Sequence, residues 1–213
     1  MTTPPIGTLI VIAKAPVPGR VKTRLVPPLT YSQAAEVARA ALLDTLRVAS
    51  TVPARTHLIA LDGEPGPWLP SGWRVVAQSC GGLDRRIAAA FGAAAPQRPA
   101  LLIGMDTPQL HPEQLGAFDP VQYDAALGPA TDGGYWAIGL RDPALAAHVV
   151  PGVPMSTLHT GADQLRRLTD AGLRVQLLDT LTDVDTVGAA EDVAHLTPGS
   201  EFARTLAHQR LTR

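Results

Sequence analysis

Several residue types and features are scarce in this sequence, and each scarcity excludes a class of protein. The single cysteine, Cys80, cannot form an internal disulfide or a cysteine-rich metal site. A formal net charge of −1 gives no electrostatic reason to expect binding to nucleic acid or to an anionic membrane. No apolar run approaches the roughly 20 residues that cross a bilayer, and residues 1–5 lack the pattern of a signal peptide. We therefore expect a cytoplasmic protein that binds neither nucleic acid nor a membrane.

The composition that remains is that of a globular α/β protein. A chain of 213 residues has the length of one such domain, and 46% of its residues are apolar. Aromatic residues make up only 4%, so the core must consist mostly of Ala, Leu and Val. No repeat, charge tract or linker divides the chain. We therefore interpret residues 1–213 as one domain.

Short apolar runs alternate with helical patterns in the first half of the chain. Thr30 and Gln33 form a capping-box pattern that predicts a helix from there to about residue 49. A second helix is predicted over residues 83–91. Strands are predicted at residues 8–12, 57–61, 74–77 and 100–104. Strand and helix alternation of this kind indicates a parallel sheet.

The second half adds a different connection. Residues 125–128 and 135–140 predict two strands of a hairpin, because the turn between them is rich in Gly and Asp. Helices are predicted from residue 156, from about residue 186 and at the C-terminal end. A strand is predicted at residues 173–178. The hairpin makes the expected sheet mixed.

The most informative stretch is the loop that follows the first strand, residues 13–25. It combines prolines and a glycine with four cations, Lys14, Arg20, Lys22 and Arg24. Such crowding costs free energy unless an anion lies among the cations. A basic, glycine-containing loop after a strand is how many α/β proteins hold phosphate, so we favour phosphate binding over a solvated turn. The spacing matches neither a Walker A loop nor a G-x-G-x-x-G fingerprint.

Three aspartates are candidate metal ligands. Asp106 directly follows the most apolar strand, where ligands of open α/β sheets bind, and carboxylate oxygen suits Mg²⁺ or Mn²⁺. The alternative for Asp106 is an ordinary turn before Pro108. Asp183 and Asp185 share one face of an extended segment, although either could cap the next helix. We expect one of the two to cap and the other to act.

Other candidates carry weaker signals. Asp132, Gly133, Gly134 and Tyr135 form either a simple turn or a substrate-binding loop in which the glycines allow close approach of a ligand. Arg85 and Arg86 could pair with phosphate or lie on an exposed helix face. Ser156 and Thr157 are better explained as helix caps than as anion ligands.

Four of these motifs together resemble the family called rSAM/selenodomain-associated transferase 1, of the nucleotide-diphospho-sugar transferase (GT-A-like) superfamily. Residues 13–25 match its opening Ala-Lys-x-Pro-x-Pro-Gly-x-Val-Lys-Thr-Arg-Leu. Residues 104–108 match Gly-x-Asp-x-Pro, residues 132–135 match Asp-Gly-Gly-Tyr, and residues 183–186 match Asp-Val-Asp-Thr. One departure is Gly81-Gly82-Leu83-Asp84, where the family has Gly-Asp-Leu-Gly. The resemblance implies a three-layer sandwich around a mixed, mostly parallel sheet.

The resemblance also implies roles for these residues. Asp106 and Lys22 would be catalytic, Asp106 and Asp185 would hold Mg²⁺ or Mn²⁺, and residues 132–135 would bind substrate. The donor phosphates would lie against Lys14, Gly19, Arg20, Lys22, Thr23 and Arg24.

The function expected from these residues is metal-dependent transfer from a nucleotide donor to a small acceptor, either phosphorylated or hydroxylated. Nucleotidyl transfer from a nucleoside triphosphate is favoured because four cations suit a triphosphate better than the diphosphate of a sugar donor. The alternatives are a glycosyltransferase that uses a nucleotide sugar and a non-catalytic nucleotide-binding module. The sequence leaves the base, the acceptor and the oligomeric state open.

Overall fold

The computed structural model of the protein describes residues 6–211, in which seven strands form one central sheet. Residues 1–5, for which the sequence predicts no signal peptide, lie outside the described residues. The strands are β1 (Ile6–Lys14), β2 (Ala54–Asp62), β3 (Arg74–Ala77), β4 (Ala100–Ile103), β5 (Ala125–Pro129), β6 (Tyr135–Leu140) and β7 (Val175–Leu177). Their order across the sheet is β3-β2-β1-β4-β6-β5-β7.

Strand pairing confirms the expected mixed sheet. β1 pairs in parallel with β2 and β4, and β2 pairs in parallel with β3. β6 is antiparallel to both of its neighbours, β4 and β5, while β7 adds in parallel to β5. The hairpin of β5 and β6 is therefore where the parallel pattern is broken, as the sequence predicted.

Helices cover both faces of this sheet. They are α1 (Tyr31–Thr51), α2 (Leu83–Gly92), α3 (Pro112–Leu115), α4 (Ala146–Val149), α5 (Thr160–Asp170), α6 (Val187–Leu196) and α7 (Glu201–Leu211). Because successive side chains of a strand point to opposite faces, Leu9 and Val11 pack with α1, whereas Ile10 packs with α2. α6 and α7 pack on the outer side of α1. The result is the expected three-layer α/β sandwich.

Two details of the helices differ from the sequence prediction. The capping box of Thr30 and Gln33 is present at the start of α1. However, α5 begins at Thr160 and not at residue 156, because Thr157 and Thr160 hydrogen-bond to each other and form a turn before the helix. Neither Asp183 nor Asp185 caps α6, since Thr186 accepts the hydrogen bond from the Ala189 N–H and is the cap.

The topology brings the candidate site residues to one edge of the sheet. β1, β2, β3 and β4 run in the same direction, so Lys14, Asp62 and Asp106 all follow or end strands at the same edge. β6 runs the other way, and its first residue, Tyr135, therefore lies at this edge too. Side chains that are far apart in the sequence thus line one cavity.

A buried carboxylate fixes the last helix against α1. Asp44, in α1, is only 5% exposed. Its oxygens accept hydrogen bonds from the backbone N–H groups of Glu201 and Phe202 at the start of α7, and one of them also binds Arg47 at 2.6 Å. Carboxylates stabilise helix N-termini because they accept hydrogen bonds from N–H groups that lack partners inside the helix.

We expect the substitution Asp44→Ala to lower the free energy of unfolding by about 2 kcal/mol, because it leaves buried N–H groups without an acceptor. Urea denaturation followed by circular dichroism measures this loss. Arg47→Ala is the matched control and should cost less than about 1 kcal/mol, since Arg47 is largely exposed. Equal losses for the two variants would contradict this account of α7.

Candidate functional site

A cavity of about 590 Å³ opens at the edge of the sheet where the parallel strands end. Its lining includes five cationic side chains and four aspartates, so the charges of opposite sign nearly balance. The cations are Lys14, Arg20, Lys22, Arg24 and Arg86, and the aspartates are Asp106, Asp132, Asp183 and Asp185. A cavity of this size accommodates a small-molecule ligand.

Lys22 lies at the centre of the charged part of this cavity. Its Nζ is 2.6 Å from Oδ1 of Asp106 and 2.9 Å from Oδ1 of Asp185. The Lys22 side chain is 5% exposed, whereas those of Asp106 and Asp185 are 37% and 38% exposed. The Lys22 backbone lies in the left-handed region, with φ of 47°, which is a strained conformation for a residue other than glycine. The loop thus places this ammonium between two carboxylates at a conformational cost.

Asp106 and Asp185 shift the pKa of Lys22, and Lys22 in turn shifts the pKa of Asp185. Burial by itself would lower the pKa of Lys22, but the charges of Asp106 and Asp185 outweigh burial and raise that pKa. For Asp185, burial acts to raise the pKa, and the attraction of Lys22, together with Arg24, outweighs it and lowers the pKa. Lys22 and Asp185 are therefore both charged at neutral pH.

Asp183 lies in a different environment from Asp185. Burial, reinforced by the nearby charges of Asp106 and Asp132, raises the pKa of Asp183 to about 7. Both Asp183 and Asp185 line the cavity, as their spacing in an extended segment predicted. The negative charges of Asp106 and Asp132 therefore disfavour a further negative charge on Asp183.

The segment that carries Asp183 and Asp185 is held against the sheet by backbone hydrogen bonds. The Val184 N–H donates to the carbonyl oxygen of Asp106 at 2.9 Å. Leu181 continues the sheet beside Ala130, and its N–H donates to the carbonyl oxygen of Pro129. The backbone that carries Asp183 and Asp185 is therefore joined directly to that of Asp106.

A second ion-pair network lies beside the first and was missed at the sequence level. Asp62, the last residue of β2, binds Arg20 and Arg86, each at 3.1 Å. Arg86 also donates to Gln78 Oε1, while Gln78 Nε2 donates to the carbonyl oxygens of Ala13 and Ala60. Asp62 could have been found by the reasoning that identified Asp106, since both follow or end a parallel strand.

The loop of residues 132–135 packs against the start of α5. A Cβ atom at Gly133, which has φ of 88°, would collide with the backbone of Leu158. The Gly161 N–H donates to the carbonyl oxygen of Gly133 at 2.8 Å. The sequence suggested that these glycines allow close approach of a ligand, but the close approach at Gly133 is to α5. Gly134 does line the cavity.

Tyr135 lines the cavity. Its hydroxyl donates to Oε1 of Gln164 at 3.5 Å and lies 3.9 Å from Sδ of Met155. Burial, with the negative charge of Asp84, raises the pKa of Tyr135, so its hydroxyl stays protonated. Asp84 itself does not line the cavity, because its carboxylate accepts a hydrogen bond from the Gly152 N–H, which lowers the pKa of Asp84.

Most of the residues selected from the sequence meet in this one cavity. Gly19 and Gly133 are not among its lining residues, and Gly19 instead turns the loop in the left-handed region, with φ of 79°. The selected residues that line it are Lys14, Arg20, Lys22, Thr23, Arg24, Asp106, Asp132, Gly134, Tyr135 and Asp185.

The family resemblance of the sequence implies a divalent cation, and the chemistry of the aspartates decides whether they fit one. Within residues 6–211, no group of three or more His, Cys, Asp or Glu side chains is placed to hold a metal ion. Mg²⁺, however, is commonly held by only one or two carboxylates together with phosphate oxygens of the substrate. Asp106 and Asp185 meet that requirement, because both already bind one cation, the ammonium of Lys22.

From residue 6 to residue 211, no helix is both long enough and apolar enough to cross a bilayer.

Solved structures with the same fold include several transferases. One, from Desulfovibrio desulfuricans G20 and provisionally named a nucleotide-diphospho-sugar transferase, is 28% identical, with a TM-score of 0.82 over 96% of this chain and 94% of its own. The 2-C-methyl-D-erythritol 4-phosphate cytidylyltransferase of Thermus thermophilus is 17% identical, with a TM-score of 0.56 over 97% and 99% of the two chains. Rv0371c of Mycobacterium tuberculosis H37Rv, in complex with manganese, is 20% identical, with a TM-score of 0.52 over 89% and 97%.

Sequence comparisons identify the family. Comparison with curated proteins gives no match. Residues 34–157, more than half of the chain, match the family model described as "Uncharacterized protein conserved in bacteria (DUF2064)". The segment includes Asp106 and the loop of residues 132–135, two of the motifs on which the resemblance was based. This chain therefore belongs to the bacterial family DUF2064, and its fold is that of the nucleotide-diphospho-sugar transferases.

Proposed function

We propose that this protein transfers a nucleotidyl group from a nucleoside triphosphate to a small acceptor, with Mg²⁺ or Mn²⁺ as cofactor. The observation that carries the proposal is the position of Lys22 between Asp106 and Asp185, within a cavity that also presents Arg20 and Arg24. Nucleotidyl transfer requires two kinds of group. Cationic side chains neutralise the phosphates, and carboxylates hold the divalent cation.

The charge balance of the cavity supports dependence on a divalent cation. A nucleoside triphosphate is strongly anionic, and it would meet four aspartates as well as five cationic side chains. The loop cations are also partly neutralised, because Asp62 binds Arg20 and Asp185 binds Arg24. The charge crowding that the sequence indicated is thus relieved by the protein's own carboxylates. A divalent cation would restore the positive charge that a triphosphate needs.

Each charged side chain then has a role. Asp106 and Asp185 hold the divalent cation, which when bound supplies positive charge to the phosphoryl oxygens. Lys22 donates hydrogen bonds to the phosphate oxygens and offsets the charge that develops in the transition state. Arg20 and Arg24, which are more exposed, bind the outer phosphates of the donor. The acceptor oxygen attacks the α-phosphorus, and pyrophosphate leaves.

The relatives support the proposal at different levels. The Thermus thermophilus protein is named a cytidylyltransferase, and Rv0371c is a manganese complex, but at these identities the likeness shows the fold alone. The Desulfovibrio desulfuricans protein is more similar, and its provisional name favours a second candidate, glycosyl transfer from a nucleotide sugar. In that reaction Asp106 would hold the divalent cation, which would supply positive charge to the diphosphate.

Donor binding distinguishes the two candidates. We expect nucleoside triphosphates with Mg²⁺ or Mn²⁺ to raise the melting temperature more than nucleotide sugars with the same base. A ligand at 100 times its Kd stabilises the folded state by about 2.7 kcal/mol, which a thermal-shift assay detects. Greater stabilisation by a nucleotide sugar would favour glycosyl transfer, and no stabilisation by any nucleotide would contradict both candidates.

We expect Asp106→Asn to lower turnover at least about 100-fold, because the variant loses the charge that holds the divalent cation. Production of pyrophosphate measures turnover. Asp84→Asn is the matched control and should keep turnover within about threefold, since Asp84 does not line the cavity. Unchanged nucleotide binding and unchanged turnover in Asp106→Asn would point to a non-catalytic binding module.

We expect Lys22→Met to bind Mn²⁺ at least about tenfold more tightly than the wild-type protein when no nucleotide is present. The variant leaves Asp106 and Asp185 without the ammonium that compensates them, so a metal ion no longer competes with it. Isothermal titration calorimetry or the electron paramagnetic resonance signal of free Mn²⁺ measures the affinity. Lys14→Met is the control, because within residues 6–211 Lys14 forms no ion pair. Equal Mn²⁺ affinity in the two variants would argue against Asp106 and Asp185 as ligands.

A further inference from the structure

Charge is distributed unevenly around the cavity. All five cationic lining side chains belong to β1, the loop that follows it, or α2. Another part of the lining comes from residues 132–135 and 155–160, which we call the hydroxyl wall. Of the described residues that line the cavity, those of the hydroxyl wall include no Lys or Arg, and Asp132 gives the wall a negative charge. A phosphate group placed against this wall would meet a carboxylate and no cation.

The start of α5, which belongs to the hydroxyl wall, offers few free N–H groups to an anion. The Gly161 N–H donates to the carbonyl oxygen of Gly133, and the Thr160 N–H donates to that of Thr157. The N–H groups of Thr157 and His159 donate to the hydroxyls of Thr160 and Thr157. Helix N-termini bind phosphate through N–H groups of this kind, and here the protein already uses them.

Ser156 is strained where it lines the cavity. Its backbone has φ of 59°, in the left-handed region, which costs free energy for a residue with a side chain. The side chain is exposed, and its hydroxyl forms no hydrogen bond with any residue from 6 to 211. Strain of this kind is commonly retained where it positions a group toward a ligand. Ser156 therefore presents a free hydroxyl to the same cavity as the carboxylate of Asp132.

We propose that the acceptor is an uncharged or cationic hydroxyl compound, such as a polyol or an amino sugar, and not a phosphate monoester. This inference rests on the proposed function and names the acceptor class of the same site. The Asp132 carboxylate accepts hydrogen bonds from hydroxyl or ammonium groups of the acceptor, and the Ser156 hydroxyl binds another of its hydroxyls. Sequence reasoning had left phosphorylated and hydroxylated acceptors both open.

The reaction is balanced with such an acceptor. The acceptor hydroxyl oxygen forms a bond to the α-phosphorus of the nucleoside triphosphate, and the bond from that phosphorus to the pyrophosphate oxygen breaks. The hydroxyl proton passes to solvent and pyrophosphate leaves with its electron pair. No oxidant or reductant is required.

The first test compares matched acceptors with the full-length protein, a nucleoside triphosphate and Mn²⁺. The pairs are myo-inositol with myo-inositol 1-phosphate, glycerol with glycerol 3-phosphate, and glucosamine with glucosamine 6-phosphate. We expect kcat/KM for the unphosphorylated member to exceed that for its phosphate ester at least about tenfold, because Asp132 repels the phosphate. A preference for the phosphate esters would overturn the inference.

A second test uses inorganic phosphate and needs no acceptor to be turned over. The donor site is first saturated with a non-hydrolysable triphosphate analogue, and phosphate is then titrated by calorimetry. We expect no binding below about 10 mM phosphate. Phosphate binding in the presence of the analogue that is lost in Ser156→Ala would overturn the inference. Failure of every nucleotide to bind in the first step would instead overturn the proposed function.

Variants separate recognition of the acceptor from a structural role. Asp132→Asn retains the oxygen that accepts the Gly134 N–H at 2.8 Å but removes the charge. It should therefore reduce the preference for the unphosphorylated acceptor at least about threefold, with the donor KM unchanged. Ser156→Gly should relieve the backbone strain and raise the melting temperature, while both Ser156→Gly and Ser156→Ala raise the acceptor KM. An unchanged acceptor KM in all three variants would overturn the assignment of the hydroxyl wall.

Discussion

The ion pairs of Lys22 with Asp106 and Asp185 connect three distant parts of the chain. They join the loop after β1, the end of β4 and the segment before α6, and Lys22 and Asp185 are 163 residues apart in the sequence. A lysine that is only 5% exposed is tolerable only when carboxylates compensate it, and removal of either partner would leave a buried charge unpaired. The strained backbone of Lys22 is maintained by the same compensation. The shape of the charged half of the cavity therefore depends on these contacts.

The same contacts explain how the basic loop of residues 13–25 can lie beside the acidic cluster, by which we mean Asp106, Asp183 and Asp185. Each group that would be costly alone is paired, Lys22 with Asp106 and Asp185, and Arg20 with Asp62. Under the proposed function, phosphate oxygens would pair with Lys22, and Asp106 and Asp185 would hold the divalent cation, which would supply positive charge to the phosphates. Binding would then exchange the partners of these charged groups, and the divalent cation would offset part of the negative charge that the triphosphate brings.

The sequence could predict the fold because the elements carry strong local signals. The apolar run of β4, the capping box of α1 and the Gly-rich hairpin turn each match what the structure contains. The basic loop and Asp106 were each predicted to follow a strand of the same sheet, and the structure places Lys22 Nζ 2.6 Å from Oδ1 of Asp106. The strain at Ser156 could not be predicted, because a Ser-Thr pair before a helix is an ordinary capping pattern and φ depends on the tertiary contacts of residues 157–161.

Backbone hydrogen bonds connect the hydroxyl wall to the acidic cluster in one continuous frame. This connection bears on how an acceptor can be selected. Backbone hydrogen bonds join Gly161 to Gly133, Thr131 to Leu181, and Val184 to Asp106. Glycine at position 133 is required for the first of these contacts, since any side chain there would meet Leu158. A frame connected through backbone groups does not readily adapt to a new ligand, so the choice of acceptor depends on the few side chains that project from it. Asp132 and Ser156 project from the hydroxyl wall, and under our proposal the discrimination between acceptors follows the chemistry of these two side chains.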